Sequence, residues 1–143
     1  QASESHPGKF IWVDLLTPDV DSAKAFYGGL FGWTFVQQDK NTLVLNRGVP
    51  IASLIAHAAT DDGMPEALWV TAMAVQDLNA SLDYVRAAGG RVLNGPAYIK
   101  QRGYAALIRD PKGADLLLLR SDKGDTPDIE PEMGDWIWNE LWT

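Results

Sequence analysis

Hydrophobic and polar positions change period several times along this chain, and each change marks an element. Residues 9–16 (KFIWVDLL) are apolar with β-branched and aromatic members, which predicts a strand. Asp19 follows as an N-cap, and Ala23, Phe26, Tyr27 and Leu30 recur at helical spacing. Gly28-Gly29 is expected to weaken the end of that helix and Gly32 to stop it. Residues 33–37, 42–46 and 51–56 read as three short strands, with turns at Asp39-Lys40-Asn41 and Arg47-Gly48-Val49-Pro50. The pattern then restarts. Residues 68–75 read as a strand and Asp77 as the next N-cap. Leu78, Leu82, Val85 and Ala88 mark a second amphipathic helix, which Gly89-Gly90 ends. Residues 91–98, 104–109 and 115–119 are three further strands, the last two joined by the turn Asp110-Pro111-Lys112-Gly113.

Strand, helix and three strands therefore occur twice. Shifting the first half by 58 positions sets Asp19 on Asp77, Phe26 on Tyr84 and Gly32 on Gly90, at the helix cap, the helix core and the helix stop. A second repeat is sharper. Residues 8–17 read GKFIWVDLLT and residues 134–143 read GDWIWNELWT, so that five of ten residues coincide at a shift of 126. Asp14 falls on Glu140 and Phe10 on Trp136. The expected organisation is a disordered lead-in over 1–7 and one domain over 8–122, made of βαβββ units at 8–58 and 66–120. A linker rich in Asp, Glu, Pro and Gly follows over 123–133, and 134–143 is expected to be the first strand of a second, truncated copy.

The chain has no cysteine, which removes disulfides, thiolate metal sites and cysteine nucleophiles. Its formal net charge is −7, with scattered Lys and Arg, so neither nucleic acid nor an anionic membrane surface is an expected partner. No apolar run is long enough to span a bilayer, and the chain is expected to be soluble, either cytoplasmic or exported after loss of a leader. Ser53, Ser81 and Ser121 lack a nucleophile elbow, and the glycine pairs end helices where a phosphate loop would begin one.

The run from Asp19 to Trp33, with Ala25-Phe26-Tyr27 and Leu30-Phe31-Gly32-Trp33, resembles the opening of the vicinal oxygen chelate superfamily, as does Asp110-Pro111-Lys112-Gly113-Ala114. That superfamily includes glyoxalase I, extradiol dioxygenases, and bleomycin and fosfomycin resistance proteins. The resemblance implies an α+β fold of paired βαβββ units, with a cup-shaped, mostly antiparallel sheet and helices outside. It also implies metal-ligand positions on four strands, usually His or Glu. Carried over residue by residue, these fall on Trp12, on Val70 (with Trp69 beside it), on Leu117 and on a strand, 51–56, without His, Asp or Glu. None suits a hard or borderline cation. His6 lies in the polar lead-in, and His57 reads as a rim residue. No metal and no cofactor are expected.

What remains is a cavity. By strand alternation Phe10, Trp12, Asp14 and Leu16 share a face, which the resemblance turns inward. Asp14 is then the candidate catalytic or ligand-fixing carboxylate. Trp12, Trp33 and Trp69 are candidate stacking walls, Val70 and Leu117 candidate lining residues, and Tyr98 and Tyr104 candidate hydroxyls at the mouth. The expected function is metal-independent binding of a small, partly apolar or aromatic molecule. Two alternatives stand beside it. One is a lyase, isomerase or oxygenase of the same superfamily that uses Asp14 or a metal held elsewhere. The other is a non-catalytic interaction domain of a tandem-module protein. A homodimer or a partner module in the same chain completes the expected partners.

Overall fold

The computed structural model describes residues 4–58 and 66–143. Its elements follow in the order β1 (Phe10–Thr17), α1 (Val20–Phe31), β2 (Thr34–Gln38), β3 (Asn41–Asn46), β4 (Val49–Ala56), β5 (Leu68–Ala74), α2 (Leu78–Ala87), β6 (Arg91–Ile99), β7 (Gly103–Arg109) and β8 (Asp115–Ser121). The fold is α+β, with strand, helix and three strands occurring twice. None of the described helices is long and apolar enough to cross a membrane.

The chain divides into two compact units that are not its two sequential halves. The α1 unit comprises Val13–Val70 and Ile129–Trp138, and the α2 unit comprises Gln1–Trp12, Thr71–Asp128 and Asn139–Thr143. In the α1 unit the strand order is β2-β3-β4-β1. The β2/β3 and β3/β4 pairs are antiparallel, while β1 runs parallel to β4 with Asp14 opposite Ser53. Val13, Leu15, Val44, Ala52 and Leu54 form a core with Ala23 of α1 and Trp33. Because successive strand residues alternate, Asp14, Leu16, Leu43 and Ser53 lie on the other, helix-free face.

The α2 unit repeats this plan in the order β5-β8-β7-β6, with β5 parallel to β8 and the two remaining pairs antiparallel. Leu78 and Leu82 of α2 pack on Ala106, Ile108 and Leu118. Ala72, Ala74, Ala105 and Leu119 form the opposite face together with Ile11, and Trp12, Ile99 and Leu117 pack against them.

The local signals behave as their chemistry requires. Asp19 accepts the Ser22 N–H at 2.9 Å and Asp77 the Ala80 N–H at 3.0 Å, capping the two helices. Gly32 closes α1 in the left-handed conformation, its N–H bonded to the Gly28 carbonyl at 2.9 Å. α1 runs through Gly28-Gly29 to Phe31, and a Cβ at Gly28 would stand 3.1 Å from the Phe35 ring, so the absent side chain makes room for packing. One expectation is corrected. Val49 and Pro50 belong to β4 and not to the preceding turn, because Arg47 and Gly48 alone take positive φ (55° and 81°) and close a two-residue hairpin.

In the C-terminal segment, residues 122–143 hold turns and irregular backbone. Its first part is fixed to the α1 unit as an arm. Asn46 Nδ2 donates to the Met133 carbonyl (3.0 Å) and to Asp135 Oδ1 (2.7 Å), Trp33 Nε1 donates to the Gly134 carbonyl (2.9 Å), and Arg47 pairs with Glu132. In the α2 unit, Lys9 pairs with Asp128 at 2.7 Å, and Thr126 Oγ1 donates to the Ile11 carbonyl. Of the lead-in, residues 1–3 lie outside the described residues, while the Glu4 carbonyl accepts the Asp125 N–H and the His6 N–H donates to the Asp125 carboxylate.

The β7–β8 turn carries a pH signature. Asp110 Oδ1 accepts the N–H groups of Ala114 (2.9 Å) and Lys112 (2.8 Å), and these bonds hold its pKa below the ordinary 3.8. A carboxylate with a depressed folded-state pKa stabilises the fold fully above its unfolded value, and the contribution disappears as pH falls through the folded value. The gap in urea midpoint between the protein and Asp110→Asn should therefore be constant above about pH 5 and narrow below about pH 3.8. A gap that is the same at about pH 3 as at about pH 7 would remove Asp110 from the acid-sensitive set.

Candidate functional site

Asp14 is the most distinctive polar residue of the α1 unit. It is 3% exposed on the helix-free face, where the register sets it beside Ser53, itself 8% exposed, and Ser53 beside Leu43. A carboxylate and a hydroxyl thus stand on adjacent strands in an otherwise aliphatic row that includes Leu16. The sequence singles out Asp14 but not Ser53, because only the β1–β4 register brings the two together. Val70 also belongs to this unit and is 3% exposed. Its neighbour Trp69 packs against the α1 core, so alternation puts Val70 on the opposite, helix-free side.

In the α2 unit, Trp12 and Leu117 pack on the face formed by Ala72, Ala74, Ala105 and Leu119. Leu117 is the register partner of Ala72 on β5 and of Leu107 on β7. This face is small-residue and aliphatic, with one indole against it.

The donor set does not fit the divalent ion that the superfamily resemblance implies. Trp12 offers an indole N–H, which donates and cannot ligate, and Val70 and Leu117 offer carbon only. Strand β4 carries Ser53 as its one hydroxyl and no His, Asp or Glu. Among the described residues, no three His, Cys, Asp or Glu side chains group closely enough to hold a metal. His57 is partly buried at the end of β4.

Trp33 and Trp69 are not brought to the helix-free face. Both pack on the α1 side in an aromatic cluster. Tyr27 lies 5.8 Å from Trp33 and 5.3 Å from Trp69 between ring centroids, and Phe31 lies 4.8 Å from Trp33. Trp136 of the arm closes the cluster at 5.8 Å from Trp33 and 5.1 Å from Trp69. The polar edges of these rings are used internally. Trp69 Nε1 donates to the Tyr27 hydroxyl at 3.0 Å, Trp33 Nε1 to Gly134, and Trp136 Nε1 to the Ile51 carbonyl at 3.1 Å. An indole whose N–H is bonded within the protein and whose ring packs against other rings is core. The sequence contains a sign of this division: Trp69 and Val70 are consecutive strand residues and cannot face the same way.

Tyr98 and Tyr104 are a register pair in the α2 unit, 5.2 Å apart between ring centroids and both about half exposed. Tyr104 stands opposite Arg120, and both line a surface groove of about 560 Å³ with Gln76, Asp77, Leu78 and Asn79 at the start of α2. This is the helix side of the sheet, away from Leu117. A hydrogen bond to Asp122, followed by that carboxylate's charge, raises the Tyr98 pKa above 10.0 and keeps the phenol protonated. The expected site residues therefore separate. Trp12 and Leu117 remain on a helix-free face of the α2 unit, and Asp14 and Val70 on that of the α1 unit, while Trp33, Trp69, Tyr98 and Tyr104 lie on the helix sides.

Comparison with known proteins agrees with this architecture. The model of the Glyoxalase/Bleomycin resistance protein/Dioxygenase superfamily matches residues 9–118. The chain is 37% identical over 151 aligned positions to CFP32 of Mycobacterium bovis, a protein named as a candidate glyoxylase, covering 99% of this chain and 56% of that protein. It is 31% identical over 154 positions to the anthracycline biosynthesis protein DnrV of Streptomyces peucetius, covering 96% and 56%. The chain thus spans about half the length of the curated relatives it matches. Among solved structures, an extradiol ring-cleaving dioxygenase from B. fuscum superposes with a TM-score of 0.57 at 14% identity, covering 89% of this chain and 36% of that one. A methylmalonyl-CoA epimerase from Streptomyces coelicolor superposes with a TM-score of 0.56 at 16% identity, covering 85% and 100%. At such identities the likeness is one of fold.

Proposed function

From the premise that this chain belongs to the glyoxalase/bleomycin resistance protein/dioxygenase superfamily, we propose that it is a small-molecule-binding module that works without the superfamily's metal. The observation that carries this reading is the donor set: Trp12, Val70, Leu117 and a β4 without His, Asp or Glu stand where the resemblance implies ligands. A face of Ala72, Ala74, Ala105, Leu117 and Leu119 with Trp12 against it suits an apolar or aromatic ligand through contact area and stacking. The names of the relatives, a candidate glyoxylase and an anthracycline biosynthesis protein, point to different chemistries and do not select the ligand.

A titration of intrinsic fluorescence against a panel of small aromatic compounds tests the reading. Truncating an aromatic anchor costs about 2 kcal/mol or more, so Trp12→Ala should weaken the best binder by roughly thirtyfold or more. Trp142→Ala, at an 87% exposed residue, should leave it unchanged. Equal affinities in the protein and Trp12→Ala would overturn the assignment.

A second reading is favoured by the burial of Asp14 beside Ser53. A carboxylate held away from water in an aliphatic row is suited to moving a proton on a bound substrate, as a lyase or isomerase requires. Asp14→Asn separates the two readings: a binding module keeps its ligand within the loss of one hydrogen bond, whereas an enzyme loses turnover.

A further inference from the structure

The two units repeat one plan, and one corner of the α2 unit departs from it. In the α1 unit β2 and β3 pair without a bulge over five consecutive positions, Thr34 to Gln38 against Leu45 to Asn41. In the α2 unit Val92 stands opposite Ile108 and Tyr98 opposite Tyr104, so six steps along β6 match four along β7. The extra residues fall in two irregularities, between Val92 and Asn94 and between Asn94 and Ala97. Only glycine fits the second. Gly95 takes φ 89°, and a Cβ there would stand 2.7 Å from the Ala105 carbonyl oxygen. Bulges occur disproportionately beside active sites, where they re-aim side chains. Here the irregular stretch places Pro96 in the lining of the groove of about 560 Å³ at the start of α2.

The donors of that groove are left for something outside the chain. Tyr104 and Arg120 are register partners on β7 and β8, and Gln76 and Asn79 line the groove from the start of α2. Among the described residues, none of these four side chains has a hydrogen-bond or ion-pair partner. The nearby acids, in contrast, are engaged. Asp77 accepts the Ala80 N–H at 3.0 Å, and Asp122 accepts the Tyr98 hydroxyl. The open charge of the groove is therefore the Arg120 guanidinium. Tyr98 flanks Tyr104 at 5.2 Å between ring centroids, and the two are 54% and 47% exposed. A forked guanidinium matches a carboxylate or phosphate through two N–H bonds. Tyrosine rings, with Pro96 and Leu78 beside them, supply flat apolar contact.

We propose that this groove is a second binding site of the α2 unit, on the opposite face of the sheet from Trp12, and that it takes a small aromatic ring bearing an anionic group. The carboxylate or phosphate lies on the Arg120 guanidinium, with the Gln76 and Asn79 amides and the Tyr104 hydroxyl as further donors. The ring packs against Tyr104 and Pro96. The positive end of the α2 dipole adds to the attraction. A groove of about 560 Å³ has room for one such molecule. The chain as a whole repels anions, with a net charge of −7, so the anion is held by these local donors and its affinity falls with added salt.

Amide chemical shifts of the isotope-labelled 143-residue chain, titrated with benzoate and with phenyl phosphate, test the proposal. The amides of Gln76–Asn79, Tyr104 and Arg120 should move saturably with a millimolar dissociation constant. Benzamide, which has the shape of benzoate without its charge, should bind at least about tenfold more weakly. Arg120→Gln should weaken both anions at least about tenfold, and Arg120→Lys, which keeps the charge but not the fork, should weaken them less. The same spectra report that each variant is folded. Trp12→Ala should leave these shifts unchanged, so the site stands or falls separately from the function proposed above. The tighter of the two anions identifies the group that the site takes. No saturation by about 20 mM, equal binding of benzamide, or an Arg120→Gln protein with unchanged affinity would each overturn the proposal. Inorganic phosphate bound as tightly as phenyl phosphate would overturn the role of the rings.

Discussion

Trp136→Ala should lower the free energy of unfolding by about 2–3 kcal/mol. The residue is 38% exposed, so well over half of a large aromatic surface leaves water when the arm docks. At about 25 cal/mol per Å² this burial contributes roughly 3 kcal/mol as an upper bound. The substitution also breaks the bond from Trp136 Nε1 to the Ile51 carbonyl and uncovers the edges of Trp33 and Trp69. A fall of about 5–10 °C in thermal midpoint is the corresponding shift for a chain of this size. Trp142→Ala, four-fifths or more exposed, should change stability by less than about 0.5 kcal/mol. Equal midpoints for Trp136→Ala and Trp142→Ala would mean that the arm is not part of the α1 unit's core. The same numbers bear on truncation. Removal of 124–143 deletes Trp136 and also the partners of Asn46 and Trp33, so the remainder is expected to fold with a markedly reduced midpoint.

A loss of about 3 kcal/mol is expected for Arg109→Met. Arg109 and Asp115 close the β7–β8 hairpin as a register pair, with Nε and Nη2 donating to the two carboxylate oxygens at 2.6 and 2.9 Å. The side chains are 16% and 7% exposed, so the pair is largely removed from solvent screening. Taking away the cation leaves a buried carboxylate without its main counter-charge, which is far costlier than the net value of the intact pair. The double variant Arg109→Met/Asp115→Leu should therefore recover most of the loss. Urea unfolding of the three variants checks this. A double variant as unstable as the sum of its singles would contradict the assigned coupling.

Much of the fold is legible in the sequence because its punctuation is chemical. Asp19 and Asp77 can cap helices, Gly32 can adopt the left-handed conformation, and Asp110 can bond its own turn; each does so here. The repeat of 58 positions sets the capping Asp19 on the capping Asp77, and the observed order of elements follows it. The site was less legible because it depends on register. Alternation alone separates Trp69 from Val70, but placing Tyr104 away from Leu117 requires knowing that β7 sets Tyr104 against Arg120 and Leu107 against Leu117. Ser53 is brought to Asp14 by a parallel pairing between strands thirty-odd residues apart, of which local sequence holds no trace. The hydrophobicity of Trp33 and Trp69 says that they are buried, and not whether the partner is a ligand or Trp136.

The central claim is that this module binds without the superfamily's metal, and the metal content of the protein tests it most directly. The protein should be purified without chelator or affinity tag, dialysed, and measured for Zn, Ni, Mn, Fe, Co and Mg by inductively coupled plasma mass spectrometry. The donor set at Trp12, Val70, Leu117 and β4 predicts far less than one equivalent of any of them per chain. One equivalent that survives dialysis, and that is lost in Asp14→Asn, would contradict the account and make Asp14 a metal ligand.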